Sequence, residues 1–159
     1  MRETKARRQG LPHGFAFVVK RLLENRPPAI LPVFQNTCYP PNQIRPGRSY
    51  DFGCAIAGAI ESWTEDARVA VVASGGLSHF VVDEEFDRTL LRALVDKDEV
   101  TLRELPRHRL FSATSESLNW VAAAGALAGT PRVAEVVDYV PVYRTEAGTG
   151  GGWAFVRWQ

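Results

Sequence analysis

The chain has 159 residues, a length that suits one domain with a hydrophobic core of its own. Apolar residues make up 45% and charged residues 23%, which is the composition of a soluble globular protein. A formal net charge of +1 argues against both the basic surface of a nucleic-acid-binding protein and a trap for acidic substrates.

The first stretch of the chain, residues 1–12, is interpreted as a polar lead-in. Its sequence "MRETKARRQG" is basic and has no apolar run behind it, unlike a secretory signal. No apolar run approaches the length of a membrane span. Cys38 and Cys54 form no CxxC pair, and two free thiols fit a reducing compartment better than a disulfide does. These features predict a cytoplasmic protein in which residues 13–159 form a single domain.

The sequence pattern over residues 14–74 predicts two helices and two strands. Apolar residues at helical spacing predict a helix over 14–25. A short apolar run between prolines predicts a strand over 29–36, although Pro32 disfavours a central position in a sheet. Residues 50–63 predict a helix whose small residues allow close packing against a sheet. The continuous Val-rich run over 67–74 is typical of a strand covered on both faces.

The remaining chain predicts three helices followed by two strands. In order, these are a helix over 83–98 with Asp83 as its N-cap, a shorter helix over 99–105, an Ala-rich helix over 115–129, and strands over 132–144 and 152–158. The glycine-rich "GTGGG" between the last two strands is interpreted as a hairpin connection. Alternating strands and helices predict an α/β fold, a layered mixed sheet with helices on both faces and an antiparallel pair at the end.

The stretch "VVASGGLSHF" carries the first candidate for catalysis. In open α/β sheets, functional groups gather beyond the carboxyl ends of the strands. Ser74 would end the buried strand, Gly75 and Gly76 would permit a sharp turn, and His79 would stand at that edge of the sheet. Imidazole titrates near neutral pH and is suited to carry protons. A histidine that only ties down its loop through hydrogen bonds is the alternative, and the sequence does not choose between the two.

Glu116 is the second candidate, because it lies in the first turn of a predicted helix. The helix dipole favours an ionised carboxylate there, and carboxylates are hard ligands for divalent metals. The alternative is a glutamate that only stabilises its own helix, which is common at helix starts. His13, before a glycine, and His108, among charges, are interpreted as loop and surface residues on their own sequence context.

His13, His79 and Glu116 together have the composition of a known iron site. Two histidines and one carboxylate form the facial triad that holds non-haem Fe(II) and leaves positions open for substrate and O₂. Composition alone does not establish that the three residues lie close together. Arg45 and Arg48 in "RPGRSYDF" could bind an anion, but the sequence favours a solvated loop.

The sequence also resembles a known family. Five blocks occur in the order seen in class III extradiol ring-cleavage dioxygenases of the protocatechuate 4,5-dioxygenase type: "LPHGFAFVVKRLL", "ILPVFQNTCYPPNQIRPGRSYDFGCAIAGAIESW", "VAVVASGGLSHFVVDEEFDR", "SATSESLNWVAAAGAL" and "DYVPVYRTEAGTGGGWAFVRW". The resemblance covers nearly all of the chain after residue 10, and "SGGLSH" followed by an acidic helix is its most specific element.

The resemblance implies a reaction and a role for each candidate residue. In that family a ferrous iron binds both hydroxyls of a catechol, O₂ is activated on the same iron, and the ring is cut beside the diol. His79 matches the acid/base histidine that helps deprotonate the catechol. His13 matches a second acid/base histidine, although Pro12 stands where the family usually has an acidic residue. Glu116 matches the carboxylate ligand of the Fe(II) cofactor.

The resemblance also implies that part of the site lies elsewhere. The two ligand histidines of the family belong to an N-terminal region, whereas only twelve residues precede His13 here and they contain no histidine. The chain therefore resembles the C-terminal half of such an enzyme. It would be a gene fragment, a protein with a misassigned start, or one piece of a split enzyme that joins a complementary N-terminal half or an oligomer.

Two other hypotheses stay open from the sequence. One is a non-catalytic relative that serves only in subunit association. The other is a self-contained metal site made of His13, His79 and Glu116. In the catalytic reading, the substrates are a catechol-type aromatic and O₂, and neither nucleic acid nor membrane is a partner.

Overall fold

The computed structural model describes residues 12–24, 26 and 28–159, so most of the predicted polar lead-in lies outside the described residues. The chain divides into two compact units, Met1–Phe34 and Gln35–Gln159. In the described part of the first unit, helix α1 spans His13–Leu22 and confirms the helix predicted at its start. The strand predicted over 29–36 is wrong. Leu31 is 83% exposed, and Pro32 removes a backbone donor from a segment that has no neighbouring strand among the described residues.

The second unit contains the other helices. They are α2 (Pro46–Glu61), α3 (Glu84–Val95), α4 (Glu99–Arg103) and α5 (Leu118–Leu127), with 3₁₀ segments at Arg107–Arg109 and Ser112–Ser117. Helix α2 begins four residues earlier than predicted because Pro46, with its fixed φ, occupies the first turn. Asp83 caps α3 as predicted, since its carboxylate accepts a hydrogen bond of 3.1 Å from the Phe86 N–H. Glu116 lies in the 3₁₀ segment that precedes α5.

The sheet is small and wholly antiparallel among the described residues. Strands β1 (His79–Val81), β2 (Ala134–Tyr143) and β3 (Thr149–Trp158) lie in the order β1-β3-β2. The predicted antiparallel pair at the end of the chain is confirmed as β2 and β3, with a register shift between Val136 and Asp138. The glycine run predicted as their connection belongs instead to β3, and the chain turns over residues 145–148.

The buried strand predicted over 67–74 is wrong. Val69, Val71 and Val72 are 45%, 36% and 55% exposed. Residues 67–73 make no backbone hydrogen bond to any described residue, so the apolar run has neither a neighbouring strand nor a covering layer. The mixed α/β class is therefore confirmed, with five helices and a three-stranded antiparallel sheet, whereas the partly parallel sheet is not formed by the described residues.

The core of the second unit lies between α3, α5 and one face of β2 and β3. Its fully buried side chains include Leu77, Phe86, Leu90, Leu118 and Val121. The predicted helix over 50–63 does use small residues for close packing, but its partner is α5 and not a sheet. A Cβ on Gly53 would lie 2.0 Å from the Ala122 carbonyl oxygen, and one on Gly125 would lie 2.2 Å from the Tyr50 carbonyl oxygen. The backbones of α2 and α5 therefore touch.

None of the described helices is both long enough and apolar enough to cross a membrane.

Candidate active site

The turn that carries His79 is fastened by side chains from the start of α5. The Asn119 amide donates to the Ser74 carbonyl at 2.8 Å, and the Trp120 indole N–H donates to the Gly75 carbonyl at 3.0 Å. Asn119 is itself oriented by Gln35, whose amide donates to its side-chain oxygen at 2.8 Å. The turn thus has a fixed geometry, although a turn of glycines would be flexible on its own.

His79 and Glu116 meet at Gly76. The Gly76 N–H donates to a Glu116 carboxylate oxygen at 3.3 Å. A Cβ on Gly76 would lie only 2.4 Å from Cε1 and 3.0 Å from Nε2 of His79, so the imidazole occupies the space that any side chain there would need. The structure therefore brings two of the three predicted site residues to the same glycine. Both glycines of the motif are required for this approach, because a Cβ on Gly75 would lie 3.0 Å from the Cβ of Glu116.

The imidazole of His79 has a defined orientation. Its Nδ1 lies 2.9 Å from the Leu77 carbonyl oxygen, and because a carbonyl only accepts, Nδ1 carries the hydrogen. In the neutral ring, Nε2 is then left unprotonated and available to accept a proton. The backbone N–H of His79 donates to the Thr114 hydroxyl at 2.9 Å, which fixes the residue further.

The position of His79 differs from the one predicted. It is the first residue of the edge strand β1, not a residue beyond the carboxyl end of a central buried strand. It was identified correctly as the residue presented by the glycine turn. The strand-end argument was wrong because residues up to Ser74 form no strand.

The buried carboxylate of Asp87 also holds this turn in place, through hydrogen bonds to Ser78. Asp87 on α3 is fully buried and accepts hydrogen bonds from the Ser78 N–H at 2.8 Å, the Ser78 hydroxyl at 2.7 Å and the Tyr139 hydroxyl at 2.9 Å. Burial raises the pKa of Asp87, and the hydrogen bonds from Ser78 and Tyr139 oppose that rise. Gly152 makes room for it, since a Cβ there would lie 1.9 Å from the carboxylate.

The sequence analysis missed Asp87. A signal was present, because Asp87 precedes Leu90 and Leu91 by three and four positions and so shares the buried face of α3. A carboxylate on a buried face must find hydrogen-bond donors. Which donors it finds depends on residues far along the chain, and Tyr139 is 52 positions away.

The candidate ligand set is incomplete among the described residues. Within the second unit, no group of three His, Cys, Asp or Glu side chains is placed to hold a metal ion. Glu116 offers one carboxylate, and a facial triad needs three protein ligands. The described residues of this unit therefore do not fit a complete iron site. His13 begins α1 in the first unit, and its role stays a prediction.

The other polar candidates lie on the surface. His108 is exposed in the first 3₁₀ segment, as predicted, and Arg45 and Arg48 are exposed at the start of α2. An open groove runs beside β1 and is lined in part by His79, Phe80, Arg109, Phe111 and Thr114. Cys38 and Cys54 are free thiols, as predicted.

Residues 2–151 match the family described as the catalytic LigB subunit of aromatic ring-opening dioxygenase. The chain belongs to this family, which confirms the resemblance read from the five sequence blocks. Gallate dioxygenase of Pseudomonas putida strain KT2440 is 31% identical over 144 residues, which are 82% of this chain and 42% of that enzyme. The chain thus spans less than half the length of this relative.

Proposed function

We propose that this chain is the part of an extradiol dioxygenase that supplies the proton-carrying histidines and one carboxylate ligand of the iron. The reaction is cleavage of a catechol-type ring by O₂ beside the diol. One observation supports this more than any other: the His79 imidazole and the Glu116 carboxylate both contact Gly76. Family membership supplies the class of reaction.

His79 is the acid/base residue in this proposal. Its Nδ1–H is held by the Leu77 carbonyl, so the ring can accept the proton of a substrate hydroxyl only at Nε2. The half-buried setting limits water without closing the residue off from substrate. His13 acts as the second acid/base residue of the cycle. Glu116 would hold the Fe(II) cofactor, which supplies the activation of O₂ when bound.

The remaining iron ligands come from outside the described residues. The proposed source is a complementary N-terminal half of the family fold, carried by another polypeptide or by an oligomer. The exposed side chains of Val69, Val71 and Val72 support this proposal, because they form an apolar surface directly before the turn that carries His79. The two free thiols are consistent with a cytoplasmic enzyme.

A catalytically inactive relative that serves in subunit association is the second candidate. The incomplete ligand set in the second unit favours it. The same exposed valines would then serve only to hold a partner.

The test is a reconstitution assay. The purified chain is loaded with Fe(II) without oxygen and then exposed to air with a panel of catechols, while the yellow ring-opened product is followed. We expect weak iron binding and little turnover by the chain alone, and both to rise when a complementary N-terminal polypeptide of the family is added. Glu116→Gln should then lower iron content, whereas His79→Asn should lower turnover with iron retained. Glu104→Gln is the surface control, because Glu104 is exposed and does not line the groove beside β1.

Two outcomes would contradict the proposal. Neither iron nor turnover with any complementary polypeptide would favour the inactive relative. Robust turnover by the chain alone, lost together with iron in His13→Ala, His79→Ala and Glu116→Ala, would make these three residues the ligands.

A further inference from the structure

Trp153 lies on the same face of the sheet as His79, and the proposed function assigns it no role. His79 pairs with Gly151 across the β1 and β3 strands, and Trp153 lies two residues further along β3. Directly paired residues and residues two apart point to the same face of a sheet. The side chains of His79 and Trp153 therefore share one face, and their ring centroids lie 6.3 Å apart at an angle of 51°.

The indole of Trp153 turns its polar edge towards Gly151. Its Nε1 would lie 3.7 Å from a Cβ built on Gly151, the residue that faces His79 on the neighbouring strand. Because Gly151 has no side chain, the indole of Trp153 can lie close to the backbone of β3 at this position. The N–H of the indole, rather than its hydrocarbon edge, is thus the part nearest to the strand position opposite His79.

The side chain of Trp153 is also accessible to a ligand. Trp153 is 52% exposed, and its indole nitrogen has no acceptor among the described residues. Trp120 shows the contrasting case, since its N–H is buried and donates to the Gly75 carbonyl. An indole combines a flat apolar surface with one donor, which suits an aromatic ring that bears oxygen substituents.

We infer that Trp153 is a specificity residue that packs against the ring of the substrate and donates its N–H to a ring oxygen other than the hydroxyl deprotonated by His79. This inference rests on the proposed function, because it assumes that the ring binds beside His79. Its consequence is a preference for catechols with a further oxygen substituent, such as a third hydroxyl, over unsubstituted catechol.

The test observes the indole N–H directly and needs no turnover. The ¹⁵N-labelled full chain, without metal, is titrated with gallate and separately with catechol under anaerobic conditions. The chain has four tryptophans, and the indole signal missing from Trp153→Phe assigns that of Trp153. We expect gallate to shift this signal more than the other three. We also expect Trp153→Phe to weaken gallate binding about five- to tenfold, the effect of one lost hydrogen bond, and to leave catechol binding nearly unchanged.

The control variant is Phe155→Leu, which alters an exposed aromatic residue on the same face two positions further along β3. It should bind gallate like the unmodified chain. Gallate binding that leaves the Trp153 signal unmoved would overturn the inference and leave the proposed function standing. An equal loss for gallate and catechol in Trp153→Phe would overturn the role of the N–H. No binding of either compound to the unmodified chain would overturn the inference and leave the proposed function standing, because that function assigns binding of the diol to the iron.

Discussion

Two adjacent segments of the chain behave in opposite ways. Residues 67–73 are strongly apolar, yet they are exposed and make no backbone hydrogen bond among the described residues. Residues 74–79 contain two glycines and two serines, yet Asn119, Trp120 and Asp87 hold them in place through hydrogen bonds. The difference shows that apolar character alone does not bury a segment, because burial needs a partner surface. A polar turn becomes rigid once each of its backbone groups has a fixed partner.

The largest expected effect follows from removing the buried carboxylate of Asp87, which holds residues 74–79 in place. Asp87→Ala leaves the Ser78 N–H and the hydroxyls of Ser78 and Tyr139 without their acceptor inside the core. We expect a loss of about 3 kcal/mol in the free energy of unfolding, measured by urea denaturation. The matched control is Asp51→Ala, which removes an exposed ion pair to Arg103 and should cost less than about 1 kcal/mol. Equal losses in the two variants would mean that Asp87 does not hold the turn.

The next effect is on the geometry of the site. Gly76→Ala places a methyl group where the His79 ring lies and must displace the imidazole. We expect turnover of the reconstituted enzyme to fall about 100-fold, since a displacement of about 1 Å has that effect on catalysis. The His79 ring signals in the NMR spectrum should move as well. Gly58→Ala is the control, because nothing lies within 4 Å of its Cβ position on α2. Unchanged His79 signals in Gly76→Ala would contradict the geometry.

A smaller effect concerns pH. Burial raises the pKa of Asp87. The carboxyl group of Asp87 therefore binds its proton more tightly in the folded state than in the unfolded state. The stabilising contribution of Asp87 is therefore complete below the unfolded carboxyl pKa of about 3.9, and it decreases as pH rises through the raised folded pKa. Asp87→Asn lacks this titration. The difference in unfolding free energy between the unmodified chain and Asp87→Asn should thus shift in favour of the variant from pH 4 upwards. A difference independent of pH would show that the pKa is not raised.

The smallest effect is expected in the exposed segment. Val72→Ser should change the unfolding free energy of the isolated chain by no more than about 0.5 kcal/mol, because Val72 has no covering layer to lose. Val121→Ser makes the same substitution at a fully buried position of α5 and should cost at least about 2 kcal/mol. If the two variants lose similar stability, the segment is buried in solution. Val72→Ser should also weaken association with a complementary polypeptide, measured by analytical ultracentrifugation.

The sequence predicted the local features of the fold and missed the ones that depend on distant pairing. Helix α3 was predictable because Asp83 caps it and because its apolar stripe repeats at helical spacing. The absence of a strand over 67–74 was not predictable. A Val-rich run forms a strand only beside another strand, and whether such a neighbour exists depends on the whole fold. The glycine run of β3 was mistaken for a turn for a similar reason. Gly152, for example, provides space for the carboxylate of Asp87, which lies far away in the sequence.

The candidate site was predicted in part. Residue type and motif order in the sequence point to His79 and Glu116, and the structure brings both to Gly76, while their roles stay predictions. The orientation of the imidazole could not be predicted, because it depends on the local path of the backbone at Leu77. Trp153 had no signal of its own in the sequence, since only the register of β1 and β3 shows that it shares a face with His79.

The contact between the backbones of α2 and α5 has a consequence for how the protein moves. With Gly53 and Gly125 leaving no gap at the crossing, the two helices cannot slide or separate without losing close packing, so we expect them to move as one rigid body. Trp120 and Asn119, which hold the glycine turn, belong to that body. Residues 67–73 make no backbone hydrogen bond to another described residue, so we expect local opening to cost less free energy there than at the turn that carries His79.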